Sequence, residues 1–326
     1  MRRTAGESPN SKIGQSDAQI TVSELREYVK DWFIDATING HTAQSIKSRR
    51  ARIEKFFWFL DYRSYTTVGT AELRDFVLYL QTAHESVEGR WCNPSLRTPM
   101  RPIMVRNYHC IVKAFFNFLI QEELIDFDPM KRVKIANPKT EIKQPVSNGD
   151  ILKLLGAAKG SSSRRRDEAI ILTLLDSGMR ASELCGLKQR DLDEENLSLR
   201  VVGKGNKIRT VRISTKTYKA LRAYLRMEGR DEGAPLFRSP KGALKASGLY
   251  QIMKRLSHRA GIPNQGCHAL RRSFAVNMLR NGANAFSVQI LMGHADLTMT
   301  RRYCCIAEAD ISEQHRQHSP VEMLKI

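Results

Sequence analysis

The 326-residue sequence predicts a mainly α-helical protein with a small β-sheet, divided into an N-terminal four-helix domain and a C-terminal α+β domain. Three observations lead to this prediction. Four amphipathic segments with aromatic faces occupy the region before Asp128. A proline-containing basic segment follows them. Beyond it, one pair of alternating apolar segments flanks a glycine-containing turn, and the remaining apolar spacing is helical.

The helices of the N-terminal domain are predicted from capping residues and apolar spacing. Thr21-Val-Ser-Glu24 forms a capping box that begins a helix reaching about Ala36. A second helix spans about 41–61, and a fourth spans about 102–122 after a loop at about 84–101. The third has the spacing i, i+3, i+4, i+7 at Leu73, Phe76, Val77 and Leu80.

The segment after Asp128-Pro129 combines prolines with mutually repelling basic residues, which is typical of a linker. A linker that contacts a DNA backbone and a solvated tether both fit its basic residues, which are Lys131, Arg132, Lys134, Lys139 and Lys143. The predicted organisation is a flexible N-terminus at 1–20, the helical domain at 21–128, the linker at 129–147, and a second domain with a C-terminal tail at 148–326.

The second domain is predicted to begin with a helix at Ser147-Asn-Gly-Asp150, whose serine is a good N-cap. Residues 167–176 are apolar enough for a buried helix that ends at Gly178. Segments 197–202 and 207–213 alternate in apolar character around Gly203-Lys204-Gly205-Asn206, which predicts a β-hairpin. Helices then continue to the end, with stops at Gly261, Gly282 and Gly293.

The charge of the chain indicates a polyanionic partner. The net charge is +19, and residues 151–326 carry 31 basic side chains against 16 acidic ones, spread along the whole segment. A charge that only keeps the protein soluble is the alternative. The first 20 residues lack the apolar segment of a secretory signal, and no run is long enough to span a membrane, so we expect a cytoplasmic protein.

The six cysteines show no CxxC spacing, so reduced thiols are expected in place of a disulfide framework or a zinc site. Cys304-Cys305 could be redox-sensitive or could pack as two small residues in a helix. The spacing of the cysteines therefore assigns no function to them.

Four places in the second domain carry polar residues that stand out from their surroundings. They are a helix end, a hairpin tip, a helix start, and a Gly-His pair shortly before a tyrosine. The residues are Arg180, Lys204, His268 with Arg271, and His294 with Tyr303. Taken singly, each fits a surface charge, a helix cap or a core tyrosine.

Together these residue types suit the chemistry of a phosphodiester. Two arginines can hold the non-bridging oxygens through forked hydrogen bonds and stabilise a pentacoordinate transition state. A histidine can take the proton of a tyrosine, and a lysine can protonate the departing oxygen. Tyrosine, with a pKa of about 10, becomes a competent nucleophile beside cations. The sequence shows no carboxylate cluster of the kind that holds magnesium.

These motifs resemble those of the tyrosine recombinases, or phage integrase family, which includes Xer-type, Cre-type and transposon-encoded members. In chain order they are Gly178-Met-Arg180-Ala-Ser-Glu183-Leu, Gly203-Lys204-Gly205-Asn206-Lys207, His268-Ala-Leu-Arg271, and Met292-Gly-His294 followed by Tyr303. Their order and spacing agree with the family, and the N-terminal bundle and proline-containing linker extend the resemblance over essentially the whole chain. Two departures are Met292, where leucine is commoner, and Cys304-Cys305, where many members carry polar or small residues.

The resemblance implies a fold and a reaction. The N-terminal bundle would be a core-binding (SAM-like) domain, and the second would be a tyrosine recombinase catalytic domain. Tyr303 would attack a DNA phosphate and form a 3′-phosphotyrosyl link, which a 5′-hydroxyl of the partner duplex would resolve through a Holliday junction. No nucleotide cofactor or metal would be required. The implied partners are a double-stranded DNA recombination site and a homo-tetramer on two sites, with or without a second recombinase.

The resemblance also implies a role for each residue. Lys204 would act as the general acid, and Glu183 would support the arginines and histidines. The groups that hold and activate the phosphate would be Arg180, Arg271, His268 and His294. The basic residues expected on DNA, besides the five of the linker, are Lys207, Arg272 and Arg301.

Two other functions use similar residues. A type IB topoisomerase would relax supercoils with the same chemistry and no strand exchange, and a catalytically silent homologue would bind DNA without reacting. The family resemblance further predicts that the C-terminal tail docks on a neighbouring protomer, with Val321, Met323 and Leu324 as anchors. Packing of the tail on its own domain is the alternative.

Overall fold

The structure is a computed structural model that describes residues 18–84, 87–138, 143–229, 231–293, 303–304, 315, 319 and 321, with Lys204 described by its backbone alone. The chain divides into two compact units, one within Met1–Thr140 and one within Glu141–Ile326. No helix in the described ranges is long and apolar enough to cross a membrane.

Four α-helices build the described part of the first unit, as the sequence predicts. In chain order its elements are β1 (Ile20–Thr21), α1 (Val22–Ile38), α2 (Ala43–Tyr62), β2 (Thr67–Val68), α3 (Thr70–Gln81) and α4 (Pro102–Gln121). The predicted capping box is present, because Glu24 N donates to Thr21 Oγ1 at 3.3 Å and Thr21 N donates to Glu24 Oε2 at 3.0 Å.

The two short strands of the first unit pair antiparallel, with Ile20 opposite Val68. Ile20, which we expected in a flexible N-terminus at 1–20, is buried in this pair. A two-residue strand carries too little periodicity to be recognised from the sequence.

The core of the first unit is aromatic. Phe56, Phe76 and Phe115 are fully buried, and the rings of Phe56 and Phe76 meet edge to face with their centroids 5.0 Å apart. The loop between α3 and α4 joins this core through Trp91, whose backbone N–H donates to the hydroxyl of Tyr79 at 3.0 Å. The aromatic faces seen in the sequence therefore account for the bundle.

Both ends of the predicted linker, 129–147, pack on folded units. Met130 and Val133 are buried in the aromatic core, and the Val133 carbonyl lies 2.7 Å from His109 Nε2. At the other end Val146 is buried in the second unit, where its N–H donates to Ser273 Oγ at 2.8 Å. Three apolar residues of this segment, Met130, Val133 and Val146, therefore belong to the cores of the two units.

The second unit is also mainly helical and carries the small sheets. Its elements are α5 (Asn148–Lys159), α6 (Arg164–Ser177), α7 (Ala181–Gly186), β3 (Leu192–Asp193), β4 (Ser198–Val202), β5 (Ile208–Arg212), α8 (Thr215–Glu228), β6 (Arg238–Ser239), β7 (Gly242–Ala243), α9 (Ala246–Arg259), α10 (Cys267–Arg280) and α11 (Ala285–Met292). Strands β3, β4 and β5 form one antiparallel sheet in that order, and β6 pairs with β7. The predicted fold class, mainly α with a small sheet, is confirmed.

Helix α6 lies at the centre of the second unit, packed against α5, α8 and α10. It ends where the sequence predicts, because Gly178 takes the left-handed conformation with φ +58° and its N–H bonds to the Leu174 carbonyl at 3.1 Å. A Cβ at this position would lie 2.2 Å from the ring of Phe274 in α10. The close approach of α10 to this helix end positions the residues described next.

Candidate active site

Arg180 stands at the start of α7, directly after the turn made by Gly178. Its backbone N–H donates to Glu183 Oε2 at 2.7 Å, and its Nη1 donates to Glu183 Oε1 at 2.7 Å. Glu183 therefore caps the helix and fixes the arginine side chain at once. The Arg180 guanidinium stays partly exposed, so its remaining edge can face a ligand.

Glu183 is a buried carboxylate held by two arginines. Arg209 in β5 donates from Nη1 to Oε1 at 3.0 Å and from Nη2 to Oε2 at 2.8 Å. Burial by itself raises the pKa of Glu183, but the hydrogen bonds from Arg209 and Arg180 outweigh it and lower the pKa to about 2. The carboxylate is therefore ionised at neutral pH and bridges α7 to the hairpin.

Arg271 is buried one helical turn after His268, which is exposed at the start of α10. It donates from Nη1 to the Gly178 carbonyl and from Nη2 to the Met292 carbonyl at 2.7 Å. Its pKa is lowered to about 10, chiefly by burial and then by the nearby charge of Arg180. Two like charges are thus held close together, an arrangement that favours binding of an anion between them.

The end of α11 collects three arginines on three consecutive carbonyls. Arg209 Nε donates to Leu291 at 3.1 Å, Arg271 Nη2 to Met292 at 2.7 Å, and Arg180 Nη2 to Gly293 at 3.2 Å. Unpaired carbonyls at a helix C-terminus carry partial negative charge and attract cations. The end of this helix therefore aligns side chains that come from β5, α10 and α7.

Tyr303 lies on the same side of the unit. Its partly buried ring packs on the small apolar cluster of Phe274, Ala275, Val288 and Met292. Burial lowers the pKa of Arg271 and of Arg272. The nearby phenol of Tyr303 partly offsets this, because its electrostatic interaction raises the pKa of both arginines. The structure therefore brings Arg180, Glu183, Arg271 and Tyr303 together at one site.

The hairpin brings the backbone of Lys204 towards this site. Gly203 N donates to the Lys207 carbonyl at 2.8 Å and closes the turn. A Cβ on Gly203 would lie 3.5 Å from Glu183 Oε1, which shows how near the base of the turn is to the carboxylate. The side chain of Lys204 lies outside the described residues, as do His294 and Arg301.

The residues predicted to contact DNA occupy different environments. Lys131, Arg132 and Lys134 are exposed on the first unit, Lys143 and Lys207 are exposed on the second, and Lys139 lies outside the described residues. Arg272 is partly buried, and its Nε donates to the Gln144 carbonyl at 2.9 Å. Burial lowers the pKa of Arg272, while Tyr303 opposes that shift.

Arg209 belongs to the site in the structure but is not among the residues predicted from the sequence. Its signal was present, because positions 209, 211 and 213 share one face of the hairpin and Val211 and Ile213 are buried. An arginine on the buried face of a strand needs an anionic partner. The alternation that predicted the hairpin could therefore have marked Arg209 as part of an ion pair.

The arrangement is suited to binding and activating a phosphate. A guanidinium has five N–H donors. Arg180 uses some of them on Glu183 and the Gly293 carbonyl, and Arg271 uses two on the Gly178 and Met292 carbonyls, so donors of both arginines remain for a ligand. Within the described ranges no group of three or more His, Cys, Asp or Glu side chains is placed to hold a metal ion.

Comparison with known proteins finds relatives over most of the chain. The tyrosine recombinase XerD of Listeria innocua is 28% identical over 296 residues, which cover 86% of this chain and 94% of that protein. XerD of Pseudomonas putida is 34% identical over 221 residues, covering 64% of this chain and 73% of that protein. Among solved structures, the integrase of transposon Tn1549 in complex with transposon right end DNA matches with a TM-score of 0.69 and 21% identity, over 91% of this chain and 98% of that one.

The family model described as the phage integrase family matches residues 146–309, half of the chain and nearly all of the second unit. That range contains Arg180, Glu183, Arg271 and Tyr303, the residues that the structure brings together. The protein therefore belongs to the phage integrase family of tyrosine recombinases.

Proposed function

We propose that this protein is a site-specific DNA recombinase that cleaves and rejoins DNA through a 3′-phosphotyrosyl link at Tyr303. The observation that carries the proposal is the packing of Tyr303 on the cluster that contains Met292, whose carbonyl binds Arg271, together with Arg180 and its buried partner Glu183. The similarity of this chain to proteins named XerD and to a transposon integrase supports the assignment to the recombinases. The substrate is double-stranded DNA, which the net charge of +19 favours.

In the cleavage step the tyrosine oxygen attacks phosphorus, and the bond from phosphorus to the 5′-oxygen breaks. Arg180 and Arg271 hold the non-bridging oxygens and stabilise the charge that develops on them. Lys204 gives a proton to the departing 5′-oxygen. His268 and His294 help to hold and activate the phosphate, and a histidine takes the proton of the tyrosine. Glu183 keeps Arg180 in place and is not itself a proton donor, because its pKa lies at about 2.

In the rejoining step a 5′-hydroxyl of the partner duplex attacks the phosphotyrosine and releases Tyr303. The energy of the broken DNA bond is retained in the covalent link, so the exchange consumes no nucleotide. Two such exchanges pass through a Holliday junction. We propose that four protomers assemble on two sites in the cytoplasm, and that the basic residues at 131–143 together with Lys207, Arg272 and Arg301 contact DNA phosphates.

The proposal is tested with a nicked DNA substrate that traps the covalent intermediate. Tyr303→Phe should lose the adduct on a denaturing gel while DNA affinity stays within about threefold, since the phosphate-binding charges remain. Tyr250→Phe, which removes the hydroxyl of an exposed tyrosine in α9, is the matched control and should form adduct at the wild-type rate. Undiminished adduct in Tyr303→Phe would assign the nucleophile elsewhere.

A second measurement separates recombination from the two alternatives. Wild-type protein should yield strand-exchange products from two DNA sites, and sequencing of the trapped DNA should show one preferred site. Relaxation of supercoils without exchange would identify a topoisomerase. Binding without any adduct would identify a catalytically silent homologue.

A further inference from the structure

Arg209 joins three segments of the candidate site that are far apart in sequence. It belongs to β5, it bonds to both oxygens of Glu183 in α7, and its Nε bonds to the Leu291 carbonyl at the end of α11. We propose that Arg209 is a positioning residue that fixes the hairpin tip, and with it Lys204, against Arg180 and the end of α11. The inference rests on the proposed function of Lys204 as the general acid.

The hairpin tip needs such an anchor because its own apolar residues do not bury it. Val202 and Ile208 form the last cross-strand pair before the turn, and both are exposed, at 48% and 59%. Gly205, Asn206 and Lys207 are exposed as well. An exposed two-stranded tip is marginally stable without packing on other elements. Arg209, one residue after that last pair, turns to the opposite face and is held there.

The bonds of Arg209 lie in a mostly water-excluded setting. Its side chain is 16% exposed and that of Glu183 is 3% exposed. Charge-assisted, two-pronged hydrogen bonds are strong and fix direction as well as distance. Gly293 adds a geometric limit, because a Cβ at that position would lie 3.1 Å from Arg209 Nη1. The guanidinium therefore fits between Glu183 and the backbone of α11 with little free space.

The consequence for the reaction is specific to proton donation. A displacement of about 1 Å in a catalytic group can cost on the order of 10²-fold in rate. If the tip moves, Lys204 loses its position, while Arg271 keeps its own bonds to the Gly178 and Met292 carbonyls. The rate loss should then vanish on a substrate whose leaving group needs no proton.

The experiment compares cleavage of normal DNA with cleavage of DNA that carries a 5′-bridging phosphorothiolate, whose sulfur leaves as an anion. Arg209→Ala should slow cleavage of normal DNA on the order of 10²-fold. On the phosphorothiolate it should stay within about fivefold of wild type, because the general acid is not needed. Equal slowing on both substrates, or no slowing on either, would overturn the proposal.

Two further variants make the result specific. Arg212→Ala removes a charge from the exposed face of the same strand. This variant should cleave both substrates at the wild-type rate. Lys204→Ala reports on the general acid itself. If the phosphorothiolate restores cleavage by Lys204→Ala but not by Arg209→Ala, the positioning role is rejected and the proposed function stands. If the phosphorothiolate does not restore cleavage by Lys204→Ala, the general-acid assignment is rejected, and the positioning role with it.

A folding defect is separated from a positioning defect by Arg209→Lys. Lysine keeps the positive charge beside Glu183, but its single ammonium cannot reproduce the fork that contacts both carboxylate oxygens. We expect Arg209→Lys to melt within a few degrees of wild type and still to show selective slowing on normal DNA. Wild-type cleavage of normal DNA by a well-folded Arg209→Lys would contradict the proposal.

Discussion

Two buried carboxylates in the second unit have similar surroundings, but their arginine partners reach different parts of the unit. Asp167 in α6 and Glu183 in α7 have side-chain exposures of 0% and 3%, and each bonds to two arginines. Asp167 accepts from Arg166 at 2.9 Å and from Arg255 at 3.2 Å. By burial and pairing alone the two groups cannot be told apart.

The difference lies in where the partners' other donors go. Arg166 also bonds to the Arg238 carbonyl at 3.3 Å, so the Asp167 group ties α6 to β6 and α9. The arginines of Glu183 instead reach the carbonyls at the end of α11, beside Arg271. We therefore predict a role in the site for the Glu183 ion pairs, whose arginines meet Arg271 at the end of α11, and a structural role for those of Asp167.

The largest difference expected between the two carboxylates is in the rate of DNA cleavage. Glu183→Gln removes the charge that holds Arg180 and Arg209, so cleavage should fall on the order of 10²-fold, as when one donor to a transition-state oxygen is lost. Asp167→Asn should change cleavage by the folded protein less than about threefold, since its arginines face β6 and α9. The rates are measured in single turnover with saturating protein. A comparable loss of cleavage rate in both variants would show that the two carboxylates do not differ in their effect on the reaction.

The next effect is on stability, and here the two carboxylates should behave alike. Removing one partner of a buried ion pair leaves an uncompensated charge, so Asp167→Asn should lower the free energy of unfolding by about 3 kcal/mol. Glu183→Gln should lower it by a similar amount. Urea unfolding measures both. A loss below about 1 kcal/mol for Asp167→Asn would mean that its arginines are as well solvated as a surface pair.

The pH dependence of the unfolding free energy isolates the contribution of Glu183 to stability. Its pKa of about 2 lies below the ordinary 4.5, so the ionised carboxylate stabilises the fold above pH 4.5, and that stability is lost as pH falls towards 2. For this shift the loss between pH 7 and pH 3 is about 2 kcal/mol. Glu183→Gln cannot titrate, so its unfolding free energy should fall less over that range than that of wild type. Parallel pH curves would contradict the assignment.

The smallest effect is expected from an exposed pair of the same kind. Asp61 accepts two bonds from Arg26, at 2.6 and 2.7 Å, yet the two side chains are 63% and 45% exposed. Water screens such a pair, so Asp61→Asn should cost less than about 1 kcal/mol of unfolding free energy. A cost near that of Asp167→Asn would show that bond length outweighs burial in this protein.

Local patterns were enough to predict much of the fold. The capping box at Thr21, the left-handed stop at Gly178 and the alternating hairpin segments each act within a few residues, and the structure shows all three. The pairs β1–β2 and β6–β7 were not predicted, because two-residue strands have almost no periodicity.

The candidate site was predicted from a family resemblance, and its grouping of Arg180, Glu183, Arg271 and Tyr303 is a property of the fold. Sequence could not supply the choice of long-range partners. Nothing local marks Asp167 as bonded to Arg255, or Arg209 as bonded to Glu183, because these residues meet only after the helices pack. The site roles themselves remain predictions that the experiments above test.

The three arginine-bound carbonyls at the end of α11, those of Leu291, Met292 and Gly293, limit how the chain can tolerate insertions. One residue added within Ala285–Met292 would turn the end of the helix by about 100°, and its carbonyls would face away from Arg180, Arg209 and Arg271. Four added residues would nearly restore the direction but move the end by about 6 Å along the axis. Neither length is neutral. The length of this helix is thus constrained together with the arginine side chains that bind its end.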